Sequence, residues 1–421
     1  MKKMLVWMLA LAMMLAGCAE AAVPDARWAL DCFANGDYEA LAARLSEEVR
    51  ASVGPEALEA AWTQQLAALG ELVSAEFSEQ QGYSVALLTH EHGKQQLVVG
   101  LNEAGQVQTL LLQPVPGTAE AVQRALPEGA TAREVKLFEG TEKELGAELV
   151  VPAEDSGVYA VLIHGSGASD RDETAGANKP FRDLAYDLAA LGVGTLRFDK
   201  MTYVHPELGA ETVEQEYLEP VREALRVLKA ETGADRAIAI GHSQGGMLMP
   251  WLVTECGFDG GVALAGTPKA LWEISLEQNL ALMELMPEDQ RALVQAQIDA
   301  ELAKAEMLET LEDSETVFGL PAKYQRSIGE LDEIALAQAA GVPMLFLWGD
   351  ADFQVSQADF EAWREGLGED EMFAYIVYPG LNHLFMAAQE GDSIASAAEV
   401  FARAGQMDVR VARDIAAWLE D

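Results

Sequence analysis

Hydrophobic and polar positions change their period twice along the 421 residues. From Asp25 to Gly70 the apolar residues recur at helical spacing, in one group from Trp28 through Phe33 and Leu41 to Val49, and in a second from Leu58 through Trp62 to Leu69. The spacing then shortens to that of strands. Glu71–Phe77, Tyr83–His90, Gln95–Leu101 and Val107–Leu112 are short segments separated by turn residues. Helices followed by a strand meander predict a small α+β layer, which Pro114, Pro116 and Gly117 bring to an end.

Beyond that point strands and helices alternate. Val135–Phe138 and Glu148–Val151 predict an opening hairpin, and Val158–Ile163 is a continuous apolar run that ends in His164-Gly165-Ser166-Gly167. A helix over Phe181–Leu191, a strand over Gly194–Phe198, a helix over Val213–Thr232 and a strand over Ala237–Ile240 follow. Apolar strands alternating with amphipathic helices call for a mostly parallel sheet covered on both faces, an α/β architecture. The rhythm stops after Gly261–Ala265. Lys269–Ala340 is helical throughout with no strand candidate, and Pro287 marks a helix start. Strands resume at Pro343–Trp348 and Phe373–Tyr378, and a helix around Val409–Leu419 closes the chain. A helical stretch inserted between two sheet strands reads as a cap over their carboxyl ends.

The first residues belong to neither pattern. Lys2 and Lys3 precede an apolar run from Met4 to Ala16, short for a bilayer span and bounded by small residues, as in a secretory signal. Its end, Leu15-Ala16-Gly17-Cys18, resembles the lipobox of bacterial lipoproteins, which implies lipidation at Cys18 and a membrane anchor. The expected organisation is a signal peptide over 1–17, an α+β domain over 18–115, and an α/β domain over 120–421 with its cap over 269–340. The formal net charge is −41. That excess argues against nucleic acid and anionic lipid as partners and favours solubility in an extracytoplasmic, cell-envelope location. Cys32 and Cys256 fall in different domains and read as free, buried thiols, with a disulfide between them left open in an oxidising compartment, and no Cys/His cluster is spaced to hold a metal.

The strongest chemical signal is Gly241-His242-Ser243-Gln244-Gly245, placed between a strand and a helix as a nucleophile elbow requires. Ser243 is the nucleophile candidate. A serine hydroxyl needs a base within hydrogen-bond reach. In elbow hydrolases the acid and then the histidine follow the serine along the chain. Of six histidines, His383 alone lies beyond Ser243, in a loop just past the last sheet strand. The acid should follow the preceding strand, where Asp352 is the candidate and Asp350 its rival. The oxyanion of the tetrahedral intermediate needs amide donors, read as the backbone N–H groups of Gln244 and Ser166. His164 reads as structural support for that loop. The charge run Asp170-Arg171-Asp172-Glu173 reads first as a solvated loop, with an ion-paired scaffold at the pocket mouth as the other reading.

These residues together resemble the secreted α/β-hydrolase esterases of the dienelactone-hydrolase and acyl-peptidase-like branch. The resemblance runs from about Thr131 to the C-terminus, on His164–Glu173, Asn178–Phe181, Arg197–Lys200, the elbow, Gly349–Val355 and Gly380–Phe385. It implies the α/β-hydrolase fold and hydrolysis of a small carboxylic ester through an acyl-serine, with no metal or organic cofactor. Met201-Thr202-Tyr203 departs from the more basic run expected there, which bears on substrate contacts. The front domain resembles the cone-shaped nuclear-transport-factor and ketosteroid-isomerase-like proteins, which implies a spacer or substrate-positioning role. A peptidase or thioesterase using the same triad stays open, as does a lipid-anchored binding protein with a retired site. The oligomeric state is not legible in the sequence.

Overall fold

The structure is a computed structural model that describes residues 25–80, 83–91, 93–102, 104–115, 121–206, 208, 211–286 and 288–420. The leader over 1–17, Cys18, Pro116, Gly117 and Pro287 lie outside the described residues. Backbone contacts divide the described residues into two units, one ending at Val115 and the other beginning at Ala121.

In the first unit, helices Asp25–Asn35, Tyr38–Arg44, Glu47–Ser52 and Pro55–Leu69 precede the antiparallel strands β1 (Leu72–Gln80), β2 (Tyr83–His90), β3 (Gly93–Leu101) and β4 (Val107–Val115). The strands pair in chain order. The helices turn their apolar stripe onto one face of this meander, where Phe33 stacks on Trp62 at 5.2 Å above Leu88 and Leu97. His90 is buried among them, its Nδ1 2.9 Å from Gly70 O and its Nε2 2.7 Å from the Gln95 amide.

The second unit is built on eight strands: β5 (Thr131–Leu137), β6 (Leu145–Val151), β7 (Val158–Ile163), β8 (Gly194–Phe198), β9 (Arg236–His242), β10 (Gly261–Leu264), β13 (Met344–Gly349) and β14 (Phe373–Tyr378), while β11 (Thr316–Val317) and β12 (Leu320–Pro321) form a separate pair. The sheet order is β14-β13-β10-β9-β7-β8-β6-β5. The strands from β8 to β14 run parallel, and β6 is antiparallel to both its neighbours. The unbroken apolar runs follow from burial on both faces. Tyr159, Val161 and Ile163 enter one core and Ala160 and Leu162 the other; Met344, Phe346 and Trp348 separate from Leu345 and Leu347 in the same way. Helices Glu219–Thr232, Met249–Cys256 and Gln357–Leu367 cover the first face, and Pro180–Ala189 with Val409–Glu420 the second. This is the α/β-hydrolase fold, with its mostly parallel sheet and flanking helices.

Two parts of the inserted stretch differ from the sequence reading. Thr316–Val317 and Leu320–Pro321 pair as a two-residue hairpin around Phe318 and Gly319, both at positive φ. Elements that short leave no periodicity to read. The last helix, Glu333–Ala340, lies against helix Met249–Cys256 with Ala337 inside the first core, so it belongs to the layer flanking the sheet, although the sequence reading places it in the expected cap. It is more apolar than helices Leu271–Glu284 and Glu288–Ala305, in keeping with its place against the core, but the sequence offers no strand candidate to separate it from them. The helix expected over Val213–Thr232 also begins with a π-helical turn, Glu214–Leu218, that buries Glu216, Tyr217 and Leu218 in succession.

Candidate active site

The chemically suggestive residues sit at the carboxyl ends of the parallel strands. Ser243 follows β9, Ser166 lies just past β7, Lys200 follows β8, Asp352 is the third residue past β13, and His383 lies just past β14. Ser243 has φ 52° and ψ −116°, a conformation that costs a side-chain-bearing residue about 1–3 kcal/mol and persists where the surroundings impose it. Here its amide donates to Leu264 O at 2.8 Å while β9 is pinned between β7 and β10. The two motif glycines are steric requirements: a Cβ on Gly241 would lie 2.1 Å from Gly245 O, and one on Gly245 would lie 2.5 Å from Ile163 O. The turn leaves Ser243 half-exposed between the buried His242 and Gln244.

His383 and Asp352 meet, with Nδ1 and Oδ2 2.7 Å apart and both side chains buried. The other carboxylate oxygen of Asp352 accepts from the amides of Gln354 at 2.7 Å and Val355 at 3.0 Å, which fixes its plane. With Nδ1 engaged, the imidazole keeps Nε2 for a substrate-side partner. Asp350 is turned elsewhere: it is exposed and accepts from the Gly380 amide at 2.5 Å, bracing the loop that carries His383. That loop is held against the elbow through His242, whose Nε2 lies 2.9 Å from His383 O and whose ring centroid lies 4.7 Å from that of His383.

The charge run is not a solvated loop. Arg171 bridges Asp199 and Glu134, Asp172 pairs with Lys179 and Arg197, and Glu173 turns inward at φ 52° to become buried. Its Oε1 accepts from the Gly165 amide at 2.6 Å, and its Oε2 lies 3.0 Å from His242 Nδ1. A run of charges looks solvated when its partners are remote in sequence, as Glu134, Arg197, Asp199 and His242 are. Burial disfavours charge on both members of the Glu173–His242 pair, yet mutual attraction prevails. Glu173 is held below and His242 above its ordinary pKa, and the hydrogen bond from Gly165 and the His383 carbonyl reinforce the two shifts. His164, beneath the same loop, is buried between Phe181 and Phe198 with Nε2 3.0 Å from Asp170 O. Desolvation lowers its pKa to about 4, so it stays neutral and structural.

The sequence reading missed a buried polar ring behind Ser166 and Gln244. Lys200 Nζ donates to Gly165 O and to the Tyr217 hydroxyl, each at 2.8 Å, and pairs with Glu216 Oε1 at 2.8 Å. The Tyr217 hydroxyl lies 2.8 Å from Gly165 O and 3.1 Å from Gln244 Oε1. Gln244 Nε2 donates at 2.9 Å to the hydroxyl of Tyr324, which in turn donates to Glu216. The available signal was Asp199-Lys200, a charged pair at the end of the fully buried strand β8.

A family model described as "Alpha/beta hydrolase family" matches residues 160–402, which is more than half of the chain, and the chain belongs to that family and is a hydrolase. Esterase EstD of Thermotoga maritima is 30% identical over 393 residues, covering 91% of this chain and 92% of its own length, so the similarity extends beyond the second unit into the first. Among solved structures, Est1E from Butyrivibrio proteoclasticus is 16% identical with a TM-score of 0.42 over 64% of this chain and 96% of its own. An esterase of Pyrococcus furiosus is 14% identical with a TM-score of 0.40 over 63% and 89%.

Proposed function

We propose that this hydrolase cleaves small carboxylic esters through an acyl-serine, with Ser243 as nucleophile, His383 as general base and Asp352 as the acid that orients it. The observation that carries the reading is the 2.7 Å contact of His383 Nδ1 with Asp352, on a loop docked by His242 beside a strained, accessible serine. Ser243 Oγ bonds to the acyl carbon as its proton passes to His383 Nε2. The alkoxide leaves with that proton; water then gives a proton to the same nitrogen as its oxygen bonds the acyl carbon, and that proton passes to Ser243 Oγ as the acyl–serine bond breaks. Asp352 stabilises the imidazolium formed at each step. The amides of Gln244 and Ser166 receive the oxyanion. Glu173 occupies the Gly165 amide, which favours Ser166 as the donor from that loop. The ester preference rests on the esterase relatives.

The reading extends to location: Cys18 is lipidated and holds the enzyme outside the cytoplasm on the envelope membrane. The order of helices and meander supports assigning the first unit to the nuclear-transport-factor and ketosteroid-isomerase type, with a non-catalytic role. Matched short-chain nitrophenyl esters, thioesters and aminoacyl anilides test the substrate class. Esters should be turned over with the highest kcat/KM and Ser243→Ala should abolish that turnover; faster cleavage of anilides or thioesters would reassign the enzyme as a peptidase or thioesterase.

A further inference from the structure

We propose that Lys200 is a positioning residue for the oxyanion hole, gripping the carbonyl of the Gly165–Ser166 peptide so that the amide at its other end stays fixed and polarised toward the reacting acyl oxygen. The inference rests on the serine-esterase reading above. In a trans peptide the C=O and the following N–H point in opposite directions, so whatever holds Gly165 O also aims Ser166 N–H. Gly165 is buried and abuts the nucleophile, since a Cβ there would lie 3.0 Å from Ser243 Cβ, while Ser166 is exposed. The carbonyl therefore faces the protein interior and the next residue faces the open side of the site.

Three features distinguish this arrangement from an ordinary buried ion pair. First, all three ammonium hydrogens have acceptors at 2.8 Å, namely Gly165 O, Tyr217 Oη and Glu216 Oε1, so Lys200 has one geometry available. Second, a cation on a peptide oxygen draws electron density from the amide and strengthens its N–H as a donor, an effect that a low-dielectric site preserves. Third, the same ring passes through Gln244, whose side chain is held between Tyr217 and Tyr324 and whose backbone supplies the other proposed donor. Glu173 secures the amide of Gly165 from the opposite side, so that residue is tethered at both its N–H and its C=O. Tyr324 comes from helix Ala322–Gly329 of the insertion, which ties the roof to the same ring.

The test compares wild type with Lys200→Met/Glu216→Gln, which removes the cation without leaving an unpaired buried carboxylate. Losing one oxyanion donor outright costs about a hundredfold to a thousandfold in turnover, and a donor that is loosened costs less. We expect kcat to fall roughly 10- to 100-fold with KM changed by less than about threefold. The Ki of a trifluoromethyl ketone, which forms an oxyanion adduct with the serine, should rise by the same factor. The Ki of the matching unfluorinated ketone should not move. Tyr217→Phe, which keeps Lys200 and removes one hydrogen bond to Gly165 O, should give a smaller loss with the same split, and it decides the matter if the double variant does not fold. Wild-type kcat in either soluble variant, or equal weakening of both ketones, overturns the proposal. Turnover persisting in Ser243→Ala would instead overturn the serine reading on which it rests.

Discussion

Replacing Asp352 by asparagine isolates the step that separates the two candidate acids. One oxygen of Asp352 is held by the amides of Gln354 and Val355 and the other faces His383 Nδ1. In Asp352→Asn the side-chain carbonyl has reason to stay with the two amide donors, which turns the NH2 group toward Nδ1. The imidazole must then present a lone pair there and carry its proton on Nε2, the atom that has to accept from Ser243. Starting each turnover from the wrong tautomer costs about a thousandfold to ten-thousandfold in kcat, or roughly 4 to 5.5 kcal/mol of transition-state stabilisation. Asp350→Asn keeps an oxygen for the Gly380 amide at an exposed site, so its effect should stay within about 0.5 kcal/mol. Initial rates on a short-chain nitrophenyl ester, with circular dichroism to verify folding, give both numbers. Asp352→Asn keeping more than about a tenth of wild-type kcat, or Asp350→Asn falling as far as Asp352→Asn, would refute the assignment.

Two further outcomes follow from other parts of the molecule. The raised His242 pKa means its contribution to stability is complete below its ordinary value of 6.5 and fades as pH rises through the raised one; the lowered Glu173 pKa means its contribution is complete above 4.5 and is lost as pH falls through the lowered one. The Tm difference between wild type and Glu173→Gln should therefore be largest near pH 5.5 and shrink by pH 9, and a difference that stays flat or grows over that range would contradict the charged pair. Cys18→Ser, expressed in a bacterial host, should move the enzyme from the membrane fraction to the soluble one with kcat on soluble esters unchanged; continued membrane attachment would contradict the lipid anchor.

The sheet was legible because two-sided burial writes itself as continuous apolar runs, and β8 at Gly194–Phe198 matches its sequence reading at both ends. The elbow was legible because steric demands at Gly241 and Gly245 leave a compositional trace. His383 follows from chain order, and Asp352 is preferred to Asp350 because it stands three residues past Gly349; the structure adds that Asp352 faces His383 Nδ1 while Asp350 faces the Gly380 amide. Least legible were the groups that act through space. Glu173, Lys200, the adjacent Glu216 and Tyr217, and Tyr324 converge from four places in the chain, and an acidic residue in a strongly acidic chain carries no local sign that it is buried. The π-helical turn at Glu214–Leu218 delivers two of them, and its deviation from helical spacing is too small to read from the pattern.

The central claim is that Ser243 carries the acyl group. Incubation with a fluorophosphonate, followed by intact mass measurement and peptide mapping, should place a single adduct on the peptide spanning Gly241–Met247. Labelling of Asp352→Asn should be slowed in step with its kcat, and that of Ser243→Ala should be absent. An unreactive wild type, an adduct on another residue, or Ser243→Ala labelled at the wild-type rate would contradict the account.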